Sequence, residues 1–405
     1  EALGHKSALP PTTQQELSMI LESSKERLNS NDHSVTQEVA SHDAKQKLTQ
    51  HSPDDIDLIG KNISTLNLSG DFDPFSMEVI SKLLLLIGYP KPCHMAGVHY
   101  IDKDLNTLCV NSTIQLDSIK YKLLTEIGKG AYARVLKGTR NEKPVALKFQ
   151  KPGLTWELYI TQELQLRLKM INQKMLTCFM EISEAFIFKN STVFESEWAK
   201  YGSLLDVSNT IKMKTSKVIP VNIVVVISSQ MSSIIEHLHK CRIIHGDIKP
   251  DNFVVMNVAP LENRVLIKLI DFGRSIDMSL LPAQTTFTTD VSTSGFTCTE
   301  MRDKRPWTYQ LDMFGLTATI YLLLMGEYMK VEKINNKWQP KTPIPRYGLK
   351  NLWEPLFSSL LNINSCREQP NLIEFRKTLD DYLKTVNVYS LKNQFTSFYN
   401  VLNGQ

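Results

Sequence analysis

The sequence lacks the features that mark several classes of protein. Its six cysteines are scattered and form no C-x-x-C pair, which argues against a disulfide framework or a zinc site and favours a reducing cytosolic or nuclear compartment. A net charge of +4 gives no strongly basic surface, so we expect no nucleic-acid partner. The most apolar runs, at 223–227 and 316–325, reach about half of the ~20 residues that a membrane span needs. We therefore expect buried core helices and no membrane association.

Aromatic residues are missing from the first part of the chain. Residues 1–71 contain no Phe, Tyr or Trp and are rich in small polar and charged residues. Such a segment cannot offset the entropy of ordering, so we predict a mostly disordered linker without a signal peptide. Only 13–28 has apolar residues at helical spacing. This stretch is either a partner-binding helix or a marginal free helix, and the weakness of short helices favours the second.

The first aromatic residue, Phe72, opens a different kind of segment. Asp73–Glu78 predicts a helix that runs to about Ile87, with an apolar face that must be buried. After it, Val98–Ile101 and Leu108–Val110 are predicted to be extended. We interpret residues 72–117 as an extension that packs on the domain behind it.

The most informative pattern in the sequence is H-x-D-x-K-x-x-N at 245–252. This spacing is typical of the catalytic loop of protein kinases, and a chance surface loop rarely carries all of it. Asp247 is placed to orient a substrate hydroxyl, and Lys249 to neutralise charge on the transferred phosphate. Asn252 is placed to hold Mg²⁺, and we assign Asp251 and Asn252 to the nucleotide site as well.

A glycine-rich stretch precedes this loop and predicts a cover for phosphates. Strands at 123–127 and 136–138 flank G-x-G-x-x-A-x-V, in which Ala133 replaces a third glycine. A lone G-x-G equally fits a simple hairpin. However, V-A-L-K follows, and its Lys148 is placed to contact the α- and β-phosphates. Our predicted nucleotide contacts in this region are Ile127, Gly128, Lys129, Gly130, Ala131, Tyr132, Val135, Ala146 and Lys148.

Lys148 needs an acidic partner on the helix that follows, since such an ion pair holds the lysine in place. Glu157 and Glu163 both lie in that helix. Glu157 is unusually close in sequence and Glu163 has the more ordinary separation. The residues alone leave both candidates open.

Two further stretches complete the predicted site. Glu197 and Trp198 follow two predicted strands and are placed as the hinge that contacts adenine, with Ser196 at the back of the pocket. The long apolar helix 221–240 leads into the catalytic loop, and a buried strand then ends at D-F-G. The Asp271 of that tripeptide is the second predicted Mg²⁺ ligand.

The sequence departs from the common kinase pattern around the activation segment, 274–304. Gly246 stands where most kinases have an arginine that pairs with a phosphate on this segment. There is no A-P-E, and Glu300 is the candidate anchoring carboxylate. We therefore expect packing to hold the segment, helped by the 72–117 extension. Asp312 either holds the catalytic-loop backbone or simply favours its helix dipole.

Taken together, these residues resemble the Bub family of mitotic spindle-checkpoint kinases over about 73–400. The stretches that carry the resemblance are D-P-F-S-M-E-V-I-S-K-L-L at 73–84, W-E-L-Y-I at 156–160, I-I-H-G-D-I-K-P-D-N-F at 243–253, R-S-I-D-M at 274–278, T-S-G-F-T-C-T-E-M at 293–301 and W-T-Y-Q-L-D at 307–312.

The resemblance implies an α+β, bilobal protein kinase fold, with a β-rich N-lobe at 118–199, a helical C-lobe at 200–400 and the extension packed on the N-lobe. It implies ATP and Mg²⁺ as cofactors, Glu157 as the partner of Lys148, protein substrates, and checkpoint and kinetochore proteins as partners. We expect a monomeric kinase domain in the nucleus and cytoplasm, at kinetochores in mitosis.

Two questions stay open at this point. The family has an active branch and a Bub-related paralogue that some animals have reduced to a pseudokinase, and we expect the paralogue with an intact site. Lys249 favours a serine/threonine kinase. The alternative is an ATP-binding scaffold with little phosphoryl transfer. The substitutions at Ala133 and Gly246 leave room for that alternative.

Overall fold

A sheet of seven strands forms the smaller lobe. The computed structural model describes residues 72–130, 132–262, 264–290 and 297–404, so the predicted linker 1–71 and its helix lie outside the described residues. The spatial order is β1-β6-β7-β5-β4-β3-β2. The strands are β1 (Val98–Ile101), β2 (Ser112–Leu116), β3 (Ile119–Lys129), β4 (Ala133–Arg140), β5 (Lys143–Gln150), β6 (Glu184–Phe188) and β7 (Thr192–Glu197).

The extension supplies both edges of this sheet. β1 pairs in parallel with β6, and β2 pairs antiparallel with β3. The extension is therefore part of the sheet of the N-lobe as well as packed on it. Leu108–Val110, which is predicted to be extended, forms no strand, and β2 begins only at Ser112. Leu108 instead fills the core of the sheet, where it is fully buried.

The glycine-rich hairpin is longer than its sequence predicts. Gly128 pairs with Val135, and Lys129 with Arg134, so both strands continue into the predicted turn. The Gly130 amide donates to the Ala133 carbonyl at 2.7 Å and closes the hairpin. The strand pattern thus extends through the glycines, since their lack of a side chain does not interrupt backbone pairing.

Helices form the larger lobe around one apolar core. Both predicted core helices are confirmed as buried, including the one over 221–240, which by length and composition alone could span a membrane. The helices, with α1 and α2 of the smaller lobe first, are α1 (Met77–Leu86), α2 (Trp156–Ile171), α3 (Leu204–Thr215), α4 (Val221–Lys240), α5 (Thr299–Arg302), α6 (Gln310–Met325), α7 (Lys350–Leu361), α8 (Leu372–Thr385) and α9 (Val388–Asn403).

Three strand pairs accompany these helices. The first two flank the catalytic loop and the D-F-G tripeptide. The third was not predicted: we expected only helices and turns beyond α6, but Asn335 and Asn336 both have positive φ and form the tight turn of a hairpin. The pairs are β8 (Ile243–Ile244) with β11 (Ile276–Asp277), β9 (Phe253–Ala259) with β10 (Arg264–Leu269), and β12 (Val331–Ile334) with β13 (Lys337–Pro340).

Candidate active site between the lobes

Lys148 lies at the centre of a three-charge cluster between the lobes. It extends from β5, and its Nζ lies 2.7 Å from Glu157 on α2 and 2.7 Å from Asp271. Burial opposes the charged ammonium, but the two carboxylates outweigh it and raise the pKa of Lys148 above its ordinary value. Burial alone would also raise the pKa of Asp271, yet Lys148 lowers it. Burial also raises the pKa of Glu157, and Lys148 only partly opposes that shift. The shifted pKa values therefore favour the charged forms of Lys148 and Asp271 at neutral pH.

Glu163, the other candidate partner of Lys148, points elsewhere. Its Oε1 lies 3.0 Å from Nε2 of His94 in the extension, and its Oε2 lies 2.9 Å from Arg167 on the same helix. The two glutamates thus face different sides of α2. The structure pairs Lys148 with Glu157, the arrangement that the family resemblance implies.

Hydrogen-bond donors of the catalytic loop contact only one of the two carboxylate oxygens of Asp247. Its Oδ2 accepts from Lys249 at 2.7 Å and from the Asn252 amide at 3.2 Å. Asn252 also donates to the Asp247 carbonyl at 2.8 Å, which fixes the loop across its five-residue turn. By contrast, Oδ1 of Asp247 is buried and has no hydrogen-bond partner among the described residues. A buried acceptor without a donor is costly unless something completes it.

Asp312 holds the backbone of this loop. Its carboxylate accepts from the amide of His245 at 2.8 Å and from the amide of Gly246 at 3.0 Å. His239 at the end of α4 lies 2.8 Å from the same carboxylate. The prediction that Asp312 fixes the catalytic-loop backbone is confirmed.

The D-F-G tripeptide is turned so that Phe272 is buried and Asp271 faces the cleft. Asp271 has a φ of +64°, and Phe272 is 2% exposed. The Phe272 ring contacts His245 at 5.2 Å and Phe179 at 6.4 Å between centroids. This aromatic packing links the catalytic loop to Phe179, whose backbone bridges Leu269 at the end of β10.

The predicted nucleotide contacts of the smaller lobe lie on β3, β4 and β5 and around the end of β7. Ala146 pairs with Ser196 across β5 and β7, which places both beside the end of β7. Glu197 lies 2.6 Å from Lys268, and the Trp198 ring lies under Lys137, 3.5 Å from its Nζ. Ala131 lies outside the described residues. The remaining predicted contacts belong to β3, β4 and the turn between them: Ile127, Gly128, Lys129, Gly130, Tyr132 and Val135.

Asp277 is a buried residue that bonds to two side chains of α2, a role that no sequence pattern indicated. Its side chain is fully buried and accepts from Tyr159 at 2.8 Å and from Arg167 at 2.6 Å, both on α2. Trp156 adds a hydrogen bond from its indole to the Ser275 carbonyl at 2.8 Å. Tyr159 and Asp277 lie in the stretches W-E-L-Y-I and R-S-I-D-M, whereas Arg167 lies outside both, and their contacts join residues more than 100 positions apart. The two stretches could be recognised in the sequence, but no local pattern indicated that their residues pair.

The start of the extension packs on the activation segment. Phe75 stacks on Trp307 at 6.3 Å, and Phe72 meets the edge of Phe287 at 5.8 Å. Gly246 has a φ of +78°, and a Cβ there would clash with the Arg274 carbonyl and lie 3.1 Å from the Phe75 ring. An arginine at 246 is therefore incompatible with this packing.

Glu300, the predicted anchoring carboxylate, is buried at the N-terminal end of α5. Its Oε2 accepts from the Thr299 hydroxyl at 3.1 Å, and its Oε1 lies 3.7 Å from Arg305. Burial raises the pKa of Glu300, an effect that the nearby donors and Arg305 only partly oppose. Through its contact with Arg305, Glu300 connects α5 to the stretch of chain that follows.

Comparison with known proteins agrees with this geometry. The protein kinase domain family matches residues 121–353. Mouse mitotic checkpoint serine/threonine-protein kinase BUB1 is 36% identical over 323 residues, which cover 77% of this chain and 30% of that protein. The Arabidopsis thaliana protein of the same name is 29% identical over 364 residues, or 81% of this chain and 67% of the relative.

A solved structure, that of the BubR1 kinase domain, has a TM-score of 0.77 and 38% identity, and the match covers 82% of this chain and 100% of that one. The chain spans less than a third of the length of the mouse relative. Since both names of the family occur among these matches, the branch stays a prediction. This chain belongs to the protein kinase family, in the group of mitotic checkpoint kinases that includes BUB1 and BubR1.

Proposed function

We propose that this chain is a protein serine/threonine kinase of the mitotic spindle checkpoint, which transfers the γ-phosphate of ATP to protein hydroxyls. The observation that carries this proposal is the buried Oδ1 of Asp247, which has no donor among the described residues while Oδ2 has two. A substrate hydroxyl would supply the missing donor. The two hydrogen bonds to Oδ2 hold the carboxylate in one orientation. A substrate hydroxyl that donates to Oδ1 would therefore direct its oxygen at the nucleotide.

Lys249 and Lys148 supply positive charge on two sides of the transferred group. Lys249 lies next to Asp247 and is placed to stabilise charge on the phosphate during transfer. Lys148 is placed to hold the α- and β-phosphates, and Glu157 keeps its ammonium in position. Lys249 also supports serine or threonine rather than tyrosine as the acceptor.

Asn252 and Asp271 fit Mg²⁺ by their chemistry, because carboxylate and amide oxygens are the ligands that this ion prefers. Among the described residues, no group of three or more His, Cys, Asp or Glu forms a metal site of its own. Asn252 and Asp271 would therefore share the ion with nucleotide phosphates. Mg²⁺ would supply neutralisation of phosphate charge.

The adenine would lie between the two lobes at the end of β7. Ile127, Val135 and Ala146 would form its apolar roof, and Glu197 and Trp198 its hinge. Asp251 would lie near the ribose side of the catalytic loop. The assignment includes the turn residues Gly128, Lys129, Gly130, Ala131 and Tyr132, which would cover the phosphates.

The wider biology of the chain is part of the same proposal. We assign residues 72–117 to the extension, 118–199 to the N-lobe and 200–400 to the C-lobe. We infer protein substrates and kinetochore partners, a nuclear and cytoplasmic location with kinetochore association in mitosis, and a monomeric kinase domain. Membership of the family supports the substrates, the partners and the location. No membrane or nucleic-acid partner is proposed.

Single-turnover transfer of labelled γ-phosphate from Mg-ATP tests this function directly. The purified chain is mixed with a generic protein substrate, and Lys148→Arg serves as the control that keeps the charge but changes its geometry. Transfer that disappears in Lys148→Arg supports the kinase. Absence of transfer by the unmodified chain, together with measurable Mg-ATP binding, would instead make it a nucleotide-binding scaffold.

A further inference from the structure

A cavity separate from the nucleotide cleft lies behind the activation segment. Its volume is about 510 Å³, which is in the range of pockets that hold small molecules or peptide segments. Four parts of the larger lobe form its walls: Arg242 just after α4, the activation segment around 278–286, the stretch 305–309 that leads into α6, and the loop 364–367 between α7 and α8. We call it the arginine cavity, because Arg242, Arg305 and Arg367 line it.

The charge on this cavity is of one sign. Its lining includes the three arginines and no Asp or Glu. Tyr309 also lines it, and burial raises the pKa of Tyr309 to about 12, even though Arg242 opposes the shift. That hydroxyl therefore stays neutral at physiological pH and adds no negative charge.

The arginines differ in how they are already engaged. Arg305 is structural: it lies 3.7 Å from Glu300 and 3.6 Å from Asp303, and it also donates to two backbone carbonyls. The Arg242 guanidinium donates one hydrogen bond, to the Met278 carbonyl at 2.9 Å, and the Arg367 guanidinium donates one, to the Gln284 side-chain oxygen at 3.2 Å. Neither forms an ion pair within 72–130, 132–262, 264–290 and 297–404. Each guanidinium therefore keeps several N–H donors for a ligand.

The remaining walls suit a peptide better than a bare ion. Met278, Pro282 and Pro306 provide apolar surface beside hydroxyls of Thr285 and Thr286. A single phosphate group would occupy only a small part of 510 Å³. Arg242 and Arg367 lie on different walls of the cavity, and clusters of arginines are a common means of recognising phosphorylated side chains.

We propose that the arginine cavity binds a phosphorylated serine or threonine of a partner protein, with Arg242 and Arg367 on the phosphate and flanking residues of the partner on the apolar wall. The site is distinct from the nucleotide cleft, and its occupation does not depend on phosphoryl transfer by this chain. It therefore goes beyond the proposed function and stands or falls separately.

Such a ligand would also act on the activation segment. The Met278 amide donates to the Arg242 carbonyl at 2.8 Å, and the Arg242 guanidinium donates to the Met278 carbonyl at 2.9 Å. Phe287 pairs with Trp307 by two backbone hydrogen bonds of 3.0 and 2.8 Å. The wall 278–286 therefore lies between two fixed points. A phosphate that engages Arg242 and Arg367 would tie this wall to the loop 364–367 and reduce its motion.

Fluorescence anisotropy with labelled degenerate peptide libraries tests the proposal on the full 405-residue chain. One library has a fixed central phosphothreonine and the other a fixed threonine. The variants are Arg242→Gln, Arg367→Gln and their combination, and Arg346→Gln is the control, an exposed arginine outside the cavity. Gln keeps an unbranched stem at Arg242, where φ is +58°.

We expect the phosphorylated library to bind at least about tenfold more tightly, and each cavity variant to lose about tenfold, since a charged hydrogen bond contributes roughly that factor. Arg346→Gln should stay within about twofold of the unmodified chain. Hydrogen exchange should slow at 278–286 when the phosphorylated library is added. Unchanged thermal unfolding shows that the variants are folded.

Three results would overturn the proposal. The first is equal binding of the two libraries, and the second is full binding by the folded double variant. The third is inorganic phosphate that competes as strongly, mole for mole, as the phosphorylated library, which would reduce the cavity to a simple anion site.

Discussion

Glu157 and Glu163 lie on the same helix but belong to different networks. Glu157 faces the cleft and pairs with Lys148, a residue only nine positions away. Glu163 faces outward and belongs to a network in which His94 is 69 positions away and Asp277 is 110 positions from Arg167. In the proposed mechanism the inner pair positions the phosphates, whereas the outer network connects the helix to the extension and the activation segment.

This difference indicates how α2 is positioned in a chain that lacks an arginine at 246. In the described structure, α2 is held by the extension through His94 and by the activation segment through Asp277. Gly246 leaves room for Phe75 to pack against Arg274. Direct packing thus takes the place of a phosphate-dependent contact, and the helix is positioned by the folded chain itself.

The inner pair should give the largest effect. Glu157→Gln removes the partner that fixes the ammonium of Lys148 beside Asp271, so single-turnover transfer should fall by about a hundredfold. Glu163→Gln on the same helix is the matched control. Equal losses in the two variants would erase the distinction between the inner and outer networks.

Asp277→Asn should give the next largest effect. It leaves the half-buried Arg167 with Glu163 as its remaining charged partner, and losing the charged hydrogen bonds to the buried Asp277 should cost about 2 kcal/mol in free energy of unfolding. Because α2 loses one of its two anchors, kcat should fall about tenfold while KM for ATP changes little. Denaturant unfolding and steady-state kinetics measure both. Asp303→Asn, which removes a more exposed ion pair with Lys333, should leave kcat unchanged.

Phe75→Ala tests the contact between the extension and the activation segment. The variant loses the stacking on Trp307 and the contact with the Arg274 guanidinium, at a cost of about 1–2 kcal/mol for a half-buried ring. Hydrogen exchange should become faster near Phe287 and Trp307. Tyr100→Ala, an exposed residue of the same extension, is the control, and equal exchange in both variants would remove the extension from this account.

Glu163→Gln should have the smallest effect, and that effect should depend on pH. Burial raises the pKa of Glu163, but His94 and Arg167 outweigh it, so the pKa lies below its ordinary value of 4.5. Its stabilisation is therefore present above that value and is lost as pH falls below it. We expect a difference of about 1 kcal/mol in unfolding free energy at pH 7 that shrinks in acid. A difference that is constant with pH would contradict the assignment.

The candidate catalytic residues could be located from the sequence, but the residues that hold them in position could not. The catalytic loop and Lys148 could be located because short motifs bring their residues together locally, and the predicted bounds of α4 agree with the structure. Asp277 and His94 were not assigned, since their partners are distant in sequence and no local pattern names them. A strand end was also misplaced at Gly128, where pairing with the neighbouring strand decides the boundary.

The most direct test of the central claim is single-turnover phosphoryl transfer by Asp247→Asn beside the unmodified chain, with Mg-ATP affinity measured in parallel. The substitution keeps the shape of the side chain and removes the carboxylate that would receive the substrate hydroxyl. We predict that transfer falls at least about a hundredfold while Mg-ATP affinity stays within about twofold. Undiminished transfer by the folded variant would contradict the role of Asp247 and the mechanism built on it.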